Sequence, residues 1–114
     1  MTNKVTDETF LEVVGQTDFT LVVCSAAWCQ PCKRQKPETE KFDLSLAQSE
    51  QPDTTVLMMD IDESPNMASH FKVASIPAFL WFNGRTLVEK EFGLKKAEAL
   101  SQTLDTVKKA ASIK

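Results

Sequence analysis

The run Phe19-Thr20-Leu21-Val22-Val23-Cys24 constrains the fold more than any other stretch. It is almost wholly apolar and rich in β-branched side chains, the pattern of a central strand buried on both faces. Shortly after it, at Trp28-Cys29-Gln30-Pro31-Cys32, the chain enters a long helix-like segment. A buried strand that delivers two thiols to the head of a helix is the frame for the rest of the chain.

Two more runs read as strands. Thr54-Thr55-Val56-Leu57-Met58-Met59 suits a second interior strand ending at Asp60-Ile61-Asp62, and Ile76-Pro77-Ala78-Phe79-Leu80-Trp81-Phe82 suits a third. Asn83-Gly84 predicts a hairpin turn into Thr86–Phe92, whose alternation is that of an edge strand. Between them lie helical patterns over about 7–14, 29–48, 64–71 and 95–110. The first has Thr6, Asp7 and Glu8 as cap and first-turn acids, and Ser64 and Pro65 start the third. The second rests its buried side on Cys32, Phe42, Leu46 and Ala47, and Pro37 predicts a bend or two shorter helices. Alternating strands and helices make this an α/β fold.

At 114 residues the chain is one domain, 1–114, able to enclose a modest core. Apolar residues at 42% and charged residues at 25% are ordinary for a soluble protein, and no run approaches the roughly 20 residues of a membrane span. The first residues lack both the apolar core of a signal peptide and the bias of a transit peptide, which predicts a cytosolic protein. A net charge of −3 with scattered basic residues argues against nucleic acid or a membrane surface as partner.

Three cysteines, Cys24, Cys29 and Cys32, are too few for a disulfide framework. Closing a loop of about four residues also stabilises by only ~2 kcal/mol, so a Cys29–Cys32 bond would exist for chemistry. Cysteines three apart on a helix N-terminus can bond with little backbone movement. Cys29 sits beside unpaired N–H groups that favour a thiolate, an effect of up to about 2 kcal/mol, or roughly one pKa unit. By position, Cys29 is the nucleophile and Cys32, inside the helix and less exposed, resolves the mixed disulfide.

The set resembles the thioredoxin family. Trp28 to Cys32 match the family's Trp-Cys-Gly-Pro-Cys with Gln30 in place of glycine, Pro37 falls on the family's helix proline, and Ile76-Pro77 falls on the Ile-Pro pair before its hairpin. Asp62 and Gly93 also align, so nearly the whole chain is covered. The resemblance implies a mixed sheet of four or five strands with helices on both faces, and a cis Pro77 facing the cysteines. It further implies that the backbone before Pro77 pairs with substrate and that Trp28, Gln30, Pro31, Ile76, Pro77 and Gly93 form the binding rim.

The family's buried aspartate falls on Val23 and its lysine partner on Met58, so the pair is lost together. Cys32 would then give its proton to water or to the substrate thiolate. Cys24 reads as an inert core thiol, Trp81 as core and His70 as a surface residue. No paired ligand spacing points to a metal, and no cofactor is required. Arg34 and Lys36 stand four residues before Glu38 and Glu40, a self-paired solvated face.

The function that follows is a protein-disulfide reductase, probed against a rival reading as a non-catalytic interaction module using the rim around Trp28 and Pro77. Protein disulfides would be its substrates, an upstream disulfide reductase such as thioredoxin reductase its electron donor, and the monomer its working state.

Overall fold

A computed structural model describes residues 3–112. Nine elements follow one another: β1 (Asn3–Lys4), α1 (Phe10–Val13), β2 (Phe19–Ser25), α2 (Gln30–Gln48), β3 (Thr54–Asp60), α3 (Pro65–His70), β4 (Ala78–Asn83), β5 (Thr86–Phe92) and α4 (Ala97–Ser112). The sheet is mixed, in the order β1-β3-β2-β4-β5. β1, β3 and β2 run parallel, β4 pairs antiparallel with β2, and β5 pairs antiparallel with β4.

The β2 run lies at the centre, and alternation divides its side chains between two cores. Leu21 and Val23 face α2 and α4, where they meet Phe42, Leu46, Phe79, Trp81, Leu100 and Leu104. Val22 and Cys24 face the other way, toward Phe10 and Val14 near α1, Met67 of α3 and the strand residues Leu57, Met59, Leu80 and Phe82. Helices on both faces therefore shield a sheet whose middle strands are dry. Each fully buried large side chain, Phe42 and Trp81 among them, contributes roughly 1.5–3 kcal/mol.

Several details differ from the sequence reading. β1 was not foreseen: two exposed residues carry no hydrophobic pattern, and pairing with Leu57 and Met58 alone defines it. α1 is only Phe10–Val13, because the Asp7 carboxylate accepts from the Asn66 and Met67 N–H groups at 3.1 and 2.9 Å and so caps α3 rather than α1. Ser64 makes no capping bond. α2 is one unbroken helix with Pro37 inside it, and the division into two helices does not occur.

The buried side of α2 is Cys32, Gln35, Thr39, Phe42 and Leu46, while Ala47 is exposed. Two polar residues occupy places where an apolar stripe was expected. α4 starts two residues later than predicted, since Lys95 is held by Gln35 and the Ala97 N–H is capped at 2.9 Å by Glu38. That use of Glu38 removes the expected Arg34 pair, and among the described residues neither Arg34–Glu38 nor Lys36–Glu40 forms an ion pair. The hairpin loop is Gly84-Arg85 rather than Asn83-Gly84, with Asn83 paired to Thr86 and Gly84 at φ 62°, where glycine is favoured.

Candidate active site

Strand β2 ends at Ser25, and a short turn lifts the chain to Cys29, the N-cap of α2. The Cys29 backbone is extended, as an N-cap requires, and its Sγ accepts from the Cys32 N–H at 3.2 Å. Cys29 and Cys32 are joined by a disulfide with their Cα atoms 5.3 Å apart. Pro31 fits the first turn because its missing N–H has no helical acceptor there.

The expected difference in exposure between the two sulfur-bearing residues is not found. Cys29 is 4% and Cys32 7% exposed, since both pack with Ala26 against Ile61 and Ile76. Access differs nonetheless: Cys29, not Cys32, lines a groove of about 510 Å³. Trp28, Gln30, Pro31 and Ile76 share that groove, with Ile61 and the stretch Val73-Ala74-Ser75 forming walls the sequence reading missed. Ile61 was visible only as part of a strand end, and 73–75 carried no motif at all.

Pro77 and Gly93 do not line the groove but adjoin it. The Ile76–Pro77 peptide is cis, the Ile76 carbonyl oxygen lies 3.9 Å from Cys29 Sγ, and the Gly93 N–H donates to the Pro77 carbonyl at 2.9 Å. Gly93 has φ 88°, a left-handed conformation that glycine adopts without cost. Trp28 is 65% exposed, and its indole N–H donates to Asp62 at 2.8 Å, which fixes the ring beside the disulfide. A larger groove, about 630 Å³ between β5 and α4, contains no thiol.

Beneath this site the sheet is dry. Val23 and Met58 are direct partners in the parallel β2–β3 register and pack in one cluster. Among the described residues no carboxylate, lysine or arginine is buried.

Cys24 lies on the opposite face of β2, fully buried, and burial pushes its thiol up to about 12. At neutral pH, alkylation of the reduced native protein should therefore label Cys29 and spare Cys24. The same shift sets a pH dependence. The unfolded chain releases this proton near 9.0 and the folded chain only near about 12, so the folded state binds more protons and loses stability as pH rises between the two. A Cys24→Ala variant should lack that alkaline loss when unfolding midpoints are compared across the window; identical slopes would mean the thiol is not desolvated.

The family model for thioredoxin matches residues 1–106. The chain belongs to the thioredoxin family. It is 37% identical over 102 residues to a thioredoxin of Staphylococcus haemolyticus, covering 90% of this chain and 93% of that one. It is 35% identical over 108 residues to the bifunctional thioredoxin reductase/thioredoxin of Mycobacterium leprae, where 94% of this chain spans 23% of that protein. Mitochondrial thioredoxin 3 of Saccharomyces cerevisiae, solved in its oxidized form, superimposes with a TM-score of 0.79 at 28% identity, covering 92% and 94% of the two chains. Thioredoxin homology together with the bonded Cys29–Cys32 pair makes this protein a thiol-disulfide oxidoreductase. The bonded pair does not favour a non-catalytic interaction module.

Proposed function

We propose that this protein is a cytoplasmic, monomeric protein-disulfide reductase formed by the single domain 1–114. The observation that carries the reading is a Cys29–Cys32 pair at the head of α2, with Cys29 opening on an apolar groove. In the reduced protein the Cys29 thiolate attacks one sulfur of a partner's disulfide. That bond breaks, a Cys29 mixed disulfide forms, and the partner's other sulfur departs as a thiolate.

Cys32 then loses its proton to water or to that thiolate and attacks the Cys29 sulfur. The second partner thiol is released and the Cys29–Cys32 bond closes, so two electrons have passed to the partner. An upstream disulfide reductase returns them, and the presence of thioredoxin reductase and thioredoxin together in the name of one relative supports a donor of that kind. Trp28, Gln30, Pro31 and Ile76 contact the partner chain, which pairs with the backbone before Pro77, while Gly93 completes the rim. This makes proteins, not nucleic acid or membrane, the partners, and requires no cofactor.

Reduction of insulin disulfides by dithiothreitol tests the proposal. Acceleration by catalytic amounts of the native protein is the expected result. No acceleration, with tight binding to a partner that survives loss of both cysteines, would move the assignment to an interaction module.

A further inference from the structure

The segment between β5 and α4 belongs to no regular element, yet it is tied down at three points. Gly93 N–H donates to Pro77 O, and the Ala97 N–H donates to Glu38. Between them, Gln35 makes a two-way bond to the Lys95 backbone: its Nε2 donates to the Lys95 carbonyl and its Oε1 accepts from the Lys95 N–H, both at 2.8 Å.

Gln35 is 1% exposed and lies one helical turn beyond Cys32 on the same face of α2. Its Nε2 also donates to Thr39 at 3.2 Å. A buried amide whose Nε2 and Oε1 both bond to one residue's backbone acts as a clamp, because releasing either bond leaves an atom of the buried Gln35 amide unpaired. The clamped stretch starts beside Pro77 and ends beside the cysteine-bearing helix. It also carries Leu94, an apolar side chain left 50% exposed.

We propose that Gln35 is a positioning residue for protein substrates. Its amide holds the Gly93–Lys95 backbone in the place where an incoming polypeptide crosses from Pro77 toward α2, and Leu94 meets that polypeptide. A small disulfide reaches Cys29 without touching this segment. The inference rests on the reductase reading above and adds a determinant of which disulfides are used.

The test is single-turnover oxidation of the reduced protein by insulin and by cystamine, giving a ratio of the two rate constants. A structural defect that lowers the folded fraction, or a change in Cys29 reactivity, lowers both rates and leaves the ratio in place. Loss of positioning lowers the insulin rate selectively. For Gln35→Leu the insulin-to-cystamine ratio is expected to fall roughly fivefold or more.

An unchanged ratio in a folded Gln35→Leu protein overturns the proposal. If that variant does not fold, Leu94→Ser on the surface of the clamped segment carries the test: a lowered ratio supports the proposal and an unchanged one overturns it. Failure of the native protein to react with either disulfide would instead overturn the reductase reading, and this inference with it.

Discussion

Replacing Cys29 with serine is expected to reduce insulin reduction to the uncatalysed background, a loss on the order of 10³-fold or more, because no other thiol opens on the groove. Replacing Cys32 with serine should have a different outcome. Cys29 still attacks, but nothing displaces the partner, so the protein accumulates as a mixed disulfide. Mass spectrometry of a mixture quenched without reductant checks both claims.

The Cys32→Ser protein should carry partner mass on Cys29, and Cys24 should carry none, since that thiol is buried with its proton held far above neutral pH. Substantial activity in Cys29→Ser, or adducts on Cys24, would sink the assigned roles. The trapped partners would also name the substrates.

Val23→Asp should have the largest effect on stability. Val23 is 1% exposed and shares one core cluster with Phe42, Phe79, Trp81 and Met58, and among the described residues no lysine or arginine is buried. Burying the new carboxyl should cost roughly 3 kcal/mol. Its pKa is raised by desolvation, so between the unfolded value of about 4 and the higher folded value the native state binds more protons than the unfolded state. Unfolding free energy therefore falls as pH rises through that window, and the variant's deficit is smaller in acid than at neutral pH. Denaturant titrations of both proteins at several pH values measure it, and a pH-independent deficit would contradict a desolvated carboxyl.

The same variant should release a partner from the Cys29 mixed disulfide about tenfold faster, since a base placed under Cys32 can take its proton. An unchanged release rate would mean that water already suffices. With both outcomes, the packed apolar Val23–Met58 pair is expected to trade speed of the resolving step for stability.

The features legible in the sequence were those with a local signature. The β2 and β4 runs announced buried strands by composition and the Cys-x-x-Cys spacing announced the disulfide, while the cis Ile76-Pro77 peptide beside it was implied by the resemblance to the thioredoxin family. Cys24, read as an inert core thiol, lies buried on the face of β2 opposite Val23.

What remained hidden depends on partners distant in the chain. Gln35 looks like a surface residue in a polar helix until Lys95, 60 positions away, is brought to it. Glu38 looks like the i,i+4 partner of Arg34 until α4 offers an unpaired N–H. β1 consists of two exposed residues whose only strand property is their neighbour. The groove walls at Ile61 and 73–75 are likewise a product of how α3 returns to the sheet, not of any residue pattern.

The cap that Asp7 places on α3 has a mechanical consequence. The Val73 N–H is bonded to the Ala68 carbonyl in α3, and Val73, Ala74 and Ser75 are a wall of the groove. Asp7, before α1, is therefore latched through the six residues of α3 to one wall of the groove. A fusion or antibody that drew Asp7 outward would loosen one jaw of the site while touching no residue beside sulfur.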